Sequence, residues 1–402
     1  IRDRISTVPY IALLLQAVST SFLVVSNPQD IGQQISNPDA VYQTGLWVAG
    51  AMAVFTILFG TRNIDSSERN YGVVAAIAFE ALVKLFALVA VGLTVVFSVG
   101  GIEELLSPEA TKAILQKEDA FGARWLTLTL LAGCAIICLP RQFHVTVVEN
   151  SDERHLRTAS WMFPLYLFLM TLFVLPIALA GVSVMPKTAN ADMYVLTLPI
   201  TMGQEGLALL AFLGGFSAAT SMVIVATIAL SIMVSNHIVV PAALRLRQLE
   251  RAGTGDVKNL LVISRRVSIV LILLLGFLYF RLTKSEALAS IGLIAFTGVA
   301  QFLPAIVGGL FWRQATGRGA IAGLLTGFVI WVWCLLMPGF FTDGPVAAMI
   351  QQGPWGITWL RPHALFGLEG LDPLVHAVFW SLTANTVAYI AVSLLRDAQP
   401  LE

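Results

Sequence analysis

The sequence predicts an all-α polytopic membrane protein, on the evidence of its composition and of the length of its apolar segments. Hydrophobic residues make up 57% of the 402-residue chain and charged residues 12%, whereas a soluble domain carries about 25% charged residues. So few charges exclude a soluble enzyme or a disordered chain, and three cysteines exclude a disulfide scaffold. The net charge of zero gives no indication of a basic surface that would bind nucleic acid.

The apolar segments have the length of membrane helices. Strands of a barrel would alternate over short stretches, but these are continuous blocks of about 20 residues, which is what a helix needs to cross the bilayer. The chain begins at Ile1 without a signal peptide, so we expect a fragment of a longer protein. We predict ten spans, at 6–26, 45–61, 73–99, 121–140, 160–184, 206–235, 265–282, 288–312, 319–338 and 374–395.

Lysine and arginine residues predict the orientation of these spans. When loops are assigned alternately to the two sides, 16 positive residues fall on the side of the N-terminus, 7 fall on the other side, and Lys84 remains inside a span. Cytoplasmic loops carry the excess of positive charge. Both ends of the chain are therefore predicted to be cytoplasmic.

Two charges, Glu80 and Lys84, are predicted to lie deep within the third span. Charges at this depth are costly and commonly functional. Lys84 is about 11 residues into the helix, which places it near the bilayer centre at ~1.5 Å per residue. The i,i+4 spacing allows the two side chains to pair. Two interpretations stay open, namely an ion pair that fixes helix packing and a site of ion coupling or proton handling.

Two further spans carry residues that are candidates for a pocket or for helix packing. In the first span, Gln16 and Ser19 lie on one helical face, where such residues hold helices together or line a pocket. In the fourth span, Gly133 and Pro140 are both predicted to interrupt the helix, and Cys134 and Cys138, one turn apart, flank the expected break. The cysteines lack histidine or carboxylate neighbours in the sequence, so they predict no metal site.

The sixth span contains a run of small residues in which Ser217, Thr220 and Ser221 share one face. This face predicts either close helix packing or one wall of a solute pocket. No nucleotide-binding loop or hydrolase motif stands in a credible context. We therefore predict no catalytic residue, no metal and no cofactor for these residues.

Two motifs resemble the sodium/solute symporter family, and the resemblance covers most of the chain. The segment LPITMGQEGLALLAFLGGFSAATSMV at 198–223 is similar to the stretch from the seventh to the eighth core helix of that family. The stretch RQFHV resembles the family's GQPH motif after its sixth core helix, where Gln142 and His144 match and the proline does not. The longer run at 139–167 resembles the transporter-like input domain of bacterial sensor histidine kinases of the CbrA type.

This resemblance implies a LeuT-like inverted five-plus-five helix repeat. Residues 1–402 would form one transporter-like domain with core helices three to ten and two accessory helices, lacking the first two core helices. A kinase domain that uses ATP would lie beyond residue 402 and would signal to a cognate response regulator. The resemblance further implies an amino-acid solute, with L-histidine as the best candidate, a homodimer, and the inner membrane of a bacterium.

The departures from the symporter pattern predict how transport is coupled. Symporters hold sodium with a pair of hydroxyls in core helix eight, but Ala218 and Ala219 align there and offer no oxygen ligand. Lys84 would lie in core helix five, where a lysine replaces sodium in some transporters of this fold. The resemblance thus implies proton-coupled or ion-independent transport, with Gln142 and His144 supporting an inner gate. A stand-alone sodium- or proton-coupled symporter remains an alternative, as does a channel or passive scaffold.

Overall fold

The structure is a computed structural model, and nearly all of the chain that it describes is helical. No strand occurs in the described residues, which confirms the prediction of an all-α protein. The described residues are 2–26, 37–60, 71–98, 101, 122–143, 146–147, 150, 152–186, 189–245, 254–282, 288–341 and 345–395.

The helices that build the molecule begin and end as follows. In chain order they are α1 (Arg2–Ser26), α2 (Pro38–Gly60), α3 (Tyr71–Ser98), α4 (Ala123–Cys138), α5 (Arg154–Leu172), α6 (Val174–Val184), α7 (Tyr194–Thr201), α8 (Glu205–Val234), α9 (Thr254–Leu282), α10 (Leu288–Ala300), α11 (Leu303–Phe311), α12 (Gly317–Trp331), α13 (Pro345–Gln352) and α14 (Pro373–Leu394). Short π-helical turns at Ser235–Val239 and Val332–Leu336 continue α8 and α12.

Nine segments of the described chain are long and apolar enough to cross a membrane, so the protein is a multi-pass membrane protein. They coincide with nine of the ten predicted spans. The fourth predicted span is instead the 16-residue helix α4, which is about 24 Å long at ~1.5 Å per residue and falls short of the ~30 Å apolar core. Leu139 ends α4 in an extended conformation because a residue that precedes a proline avoids the helical region. Gly133 does not interrupt the helix.

The chain divides into two compact units, each with its own packed interior. Unit 1 comprises Ile1–Tyr10, Asp119–Phe143 and Arg281–Glu402. Unit 2 comprises Ile11–Glu118 and His144–Phe280. Helices α4 and α10 to α14 therefore lie in unit 1, whereas α2, α3 and α5 to α8 lie in unit 2.

Glycines bring the helices of unit 2 together around an aliphatic core. A Cβ on Gly92 of α3 would overlap the ring of Phe173, and one on Gly181 of α6 would overlap the ring of Tyr194. Such absent side chains let membrane helices approach closely. Gly92 brings α3 against the start of α6, and Gly181 brings α6 against α7. The buried core at this contact consists of Val24, Val91, Val95, Val96, Ile177, Leu179, Ala180, Leu196, Leu198 and Ala211.

In unit 1, α12 packs along α14 through a row of glycines. Gly319, Gly323 and Gly327 recur every four residues and are all buried. A Cβ on Gly323 would lie 2.7 Å from the backbone oxygen of Asn385 and 2.9 Å from the Cβ of Tyr389. The two helix backbones are therefore in near contact, as small residues at every fourth position allow.

The eighth predicted span, 288–312, is broken in its middle. Helix α10 ends at Ala300 and α11 begins at Leu303, with Pro304 in the first turn of α11. Proline has no N–H to donate and its ring clashes with the preceding turn, which explains why the helix is interrupted. Gln301 lies in the break and is completely buried, so its polar groups need partners within the protein.

Side chains of α14 supply these partners. The Gln301 amide donates to the Ser381 hydroxyl over 2.9 Å. The Asn385 amide donates to the backbone oxygen of Gln301 over 2.7 Å and to its Oε1 over 3.1 Å. All three residues are at most 1% exposed. The amide of Asn385 thus compensates for backbone hydrogen bonding that the break disrupts.

We expect Asn385→Leu to lower the free energy of unfolding by about 1–3 kcal/mol, because it leaves the buried Gln301 oxygens without their donor. The matched control is Thr383→Leu, two residues earlier on the exposed side of α14. Titration of the purified variants with a denaturing detergent measures the free energy of unfolding of each. Equal losses in the two variants would contradict the role assigned to Asn385.

Candidate functional site

A cavity of about 700 Å³ lies in unit 2, between α2, α3 and α8. This volume is within the range of about 300–1,000 Å³ that small-molecule sites occupy. Most of its walls are apolar, and they carry one acidic side chain together with hydroxyl groups. The residues that line it are Ala51, Met52, Phe55, Ala76, Ile77, Phe79, Glu80, Phe216, Ser217, Thr220, Ser221, Ile224, Val225 and Ile228.

Small residues of α8 explain how α3 comes to lie beside it. A Cβ on Gly214 would be 2.9 Å from the Cβ of Ala87 and 3.5 Å from the Cα of Lys84. The turn of α3 that carries Lys84 therefore packs directly against α8. Ala218, one turn after Gly214, is buried, as is Ala219, and neither side chain has an oxygen that could hold a cation.

Glu80 and Lys84 are both in α3, but the structure places them differently. Glu80 lines the cavity and is 8% exposed, whereas Lys84 is half-buried and is not among the lining residues. Both side chains take part in hydrogen-bonded or electrostatic contacts. The hydroxyl of Tyr166 donates to the backbone oxygen of Ala81 over 3.2 Å, which brings a phenol next to Glu80. The ion-pair and coupling interpretations of Glu80 and Lys84 both remain predictions.

The hydroxyls of α8 face the same cavity as Glu80. Thr220 donates its proton to the backbone oxygen of Phe216 over 2.8 Å, so its free lone pairs remain to accept a hydrogen bond. The hydroxyls of Ser217 and Ser221 make no hydrogen bond in the part of the chain that the structure describes. This side of the cavity can therefore both donate to and accept from a bound solute.

The pocket candidates of the first span lie away from this cavity. Ser19 is completely buried, and its hydroxyl donates to the backbone oxygen of Leu15 over 2.6 Å. A Cβ on Gly45 of α2 would be 3.2 Å from that hydroxyl, so Ser19 lies where α1 meets α2. Gln16 is half-buried and engaged in a contact of its own. Neither residue lines the cavity.

The remaining candidates belong to unit 1 or fall outside the described residues. Cys134 packs in an apolar cluster with Leu131, Ala300, Leu374 and Val378, and Cys138 packs with Leu139 and Val299. Gln142 is half-buried in the short turn Pro140–Phe143. His144 lies outside the described residues. Among the described residues, no group of three or more histidine, cysteine, aspartate or glutamate side chains is arranged to hold a metal ion.

The cavity also contains residues that the sequence analysis did not select. Ala51, Met52 and Phe55 form the α2 wall, and in the sequence they are ordinary residues of an apolar span. Phe79 and Phe216 add aromatic surface. No polar or repeated pattern distinguishes these residues, so only the packing of three helices reveals them.

The chain is similar over part of its length to a protein described as a symporter. The sequence matches no protein-family model. Over 138 residues it is 30% identical to a protein of Cupriavidus necator described as an uncharacterized symporter. The match covers 33% of this chain and 18% of that protein, so it spans less than a fifth of the curated relative. Together with the nine membrane-crossing segments, this similarity indicates a symporter-like membrane protein.

Proposed function

We propose that this chain recognises a small solute within the membrane, either as a transporter or as the transporter-derived input domain of a sensor. The cavity between α2, α3 and α8 is the observation that carries the proposal. It combines a volume of about 700 Å³ with mostly apolar walls and a few convergent polar groups, which is the usual character of a small-molecule site. The similarity to a symporter supports the same function.

We assign an amino acid, with L-histidine as the first candidate, as the solute. The carboxylate of Glu80 complements an α-amino group, and the hydroxyls of Ser217 and Ser221 complement an α-carboxylate. The rings of Phe55 and Phe216 offer apolar faces to the solute side chain. An imidazole stacks well on such rings, since aromatic pairs favour offset or edge contacts.

The proposed architecture is the LeuT-like five-plus-five repeat without its first two core helices, in the inner membrane of a bacterium with the C-terminus in the cytoplasm. In the sensor version, a kinase beyond residue 402 uses ATP, signals to a response regulator and works as a homodimer. The reading frame after residue 402 distinguishes the two versions. A phospho-accepting histidine and an ATP-binding domain there support the sensor, and an early stop codon supports a stand-alone symporter.

We propose that Lys84 supplies the positive charge that sodium provides in symporters. Its turn packs against the part of α8 that contains Gly214, one turn before Ala218 and Ala219, whose side chains carry no oxygen to bind a hard cation. A lysine ammonium is a compact charge whose pKa shifts readily on burial, so it is suited to exchange a proton.

Uptake or binding of radiolabelled L-histidine by proteoliposomes tests the function and the coupling together. We expect saturable uptake or binding that persists when sodium is replaced by choline at constant pH. A strict sodium requirement would overturn the role of Lys84 while leaving solute recognition intact. The absence of saturable uptake and binding for L-histidine and for a panel of other amino acids would overturn the proposed function.

Filling the cavity is expected to weaken solute binding without unfolding the protein. Ser221→Phe introduces a ring among the lining residues, and we expect the apparent Kd to rise by roughly tenfold or more, which corresponds to a loss above ~1.4 kcal/mol. Leu213→Phe, on an exposed part of α8, is the matched control and should bind normally. Isothermal titration of both variants in detergent measures the difference, and unchanged affinity in Ser221→Phe would argue against this cavity.

A further inference from the structure

The connection between α12 and α14 displays aromatic side chains at one end of unit 1. Trp355 is 90% exposed, Trp359 is 70% exposed and Phe366 is 60% exposed. Soluble surfaces rarely expose several large aromatic rings within so short a stretch. We refer to Trp355, Trp359 and Phe366 as the aromatic rim.

The segment that carries the rim is attached to both neighbouring helices. The indole N–H of Trp333 donates to the backbone oxygen of Leu360 over 2.8 Å. The backbone N–H of Leu365 donates to Nε2 of His376 in α14 over 3.1 Å, and Leu365 and His376 are both buried. Leu360 and Leu365, which lie between Trp359 and Phe366, are thus attached to the turn that continues α12 and to α14. These contacts hold the backbone beside the rings of Trp359 and Phe366.

Two residues of the rim adopt a backbone conformation that disfavours their type. Trp355 has φ 54° and Phe366 has φ 56°, in the left-handed region that costs a non-glycine residue of order 1–3 kcal/mol. Trp355 is almost fully exposed, and Phe366 still exposes more than half of its surface although it packs against the ring of Trp380. Burial within the chain therefore compensates for little of this cost. Glycine would occupy these positions without strain. Large aromatic side chains at these positions therefore indicate that an interaction outside the chain offsets the cost of the left-handed backbone.

The rim is continuous with the apolar face of a membrane-crossing helix. The ring of Phe366 lies 4.8 Å from that of Trp380 in α14, and Trp380 lies 5.3 Å from Phe379. Phe379 is 50% exposed on a helix that is long and apolar enough to cross the membrane. An apolar surface therefore runs from the exposed side of α14 onto the rim.

We propose that the aromatic rim is a membrane-anchoring surface that inserts into the headgroup and carbonyl region of the adjoining leaflet. Tryptophan is enriched at this depth because its ring is apolar and its N–H is polar. The connection joins the ends of two membrane-crossing segments, Gly317–Gly339 and Pro373–Leu394, so it starts and finishes at the boundary of the bilayer. The ion pair between Arg361 and Glu369 supplies charges suited to the headgroup layer beside the rings.

Site-specific fluorescence in proteoliposomes tests this insertion. The three native cysteines are buried, which favours selective labelling of Trp355→Cys and Phe366→Cys with monobromobimane. Glu369→Cys, in the same connection, is the polar control. We expect quenching by lipids brominated high on their acyl chains to be several-fold stronger at 355 and 366 than at 369, and quenching by aqueous iodide to follow the opposite order.

Each result decides for or against the proposal. Strong iodide quenching at all three positions would mean that the rim lies in water, and protection from both quenchers would mean that a protein surface covers it. Either result overturns the proposal. Size-exclusion chromatography establishes that each variant is folded. If one of them aggregates, Trp359→Cys replaces it, because Trp359 is the third exposed ring. Its backbone is not left-handed, and the same quenching by lipid and iodide is expected there.

Discussion

Gly323→Ala is expected to lower the free energy of unfolding by about 1–3 kcal/mol or more, the usual cost of overpacking a well-packed interior. The new Cβ would lie 2.7 Å from the backbone oxygen of Asn385 and 2.6 Å from its Oδ1. A flexible side chain can move aside, but the backbone of α14 cannot shift without disturbing the hydrogen bonds that Asn385 makes to Gln301. The substitution therefore destabilises the close contact between α12 and α14.

Gly309→Ala is the matched control for this prediction. Gly309 is an exposed helical glycine of α11, and a Cβ there would meet no atom within 4 Å. Alanine is a better helix former than glycine by about 0.5–1 kcal/mol, so this variant should be as stable as the parent or more stable. Thermal unfolding followed by size-exclusion chromatography ranks the variants. Equal stability of the two alanine variants would show that α12 and α14 do not meet at Gly323.

Lys84→Met is expected to reduce solute uptake by roughly tenfold or more, equivalent to losing an interaction worth above ~1.4 kcal/mol. The reason is the role proposed for its ammonium as the replacement for sodium. Leu82→Met, on an exposed part of the same helix, introduces the same side chain and should transport normally. Initial rates of uptake in proteoliposomes, normalised to the amount of folded protein, give the comparison.

The double variant Glu80→Gln with Lys84→Met separates the two interpretations of these charges. When a buried charge loses its partner the cost is about 3–5 kcal/mol, whereas replacing both members of a pair is often neutral. Because Glu80 is also the proposed partner of the solute's α-amino group, uptake by the double variant is compared with uptake by Glu80→Gln alone. If the charges only fix helix packing, the double variant should recover stability and take up solute at least as fast as Glu80→Gln. If Lys84 couples transport, stability should recover while uptake stays below that of Glu80→Gln. Uptake at or above that of Glu80→Gln would therefore contradict coupling.

The number and extent of the spans followed closely from the sequence. The sixth span was predicted at 206–235 and is observed as Glu205–Val234, because bilayer thickness dictates the length of an apolar block and its backbone must bond within the helix. The breaks were harder to predict. Pro140 and Pro304 each coincide with a helix interruption, but Gly133 does not. Proline lacks a donor, whereas glycine only weakens a helix.

The candidate site was only partly predictable. Glu80 and the hydroxyls of Ser217, Thr220 and Ser221 drew attention because polar groups at membrane depth are unusual, and all four line the cavity. Ser19 is also a polar residue at membrane depth, but it lies at a helix contact. The sequence does not distinguish a serine whose hydroxyl faces a neighbouring helix from a serine whose hydroxyl faces a cavity.

The sequence alone determined that this is a multi-pass helical membrane protein. The reason is that the bilayer requires apolar residues and sets the length of each apolar segment. Only the tertiary structure decided which polar residues share a space. Met52 and Phe55 belong to α2, Glu80 belongs to α3 and Ser221 belongs to α8. These three helices are separate in the sequence, yet all four residues line one cavity. Their meeting depends on close approaches such as that of Gly214 to the Lys84 turn, and those are set by side-chain packing between helices.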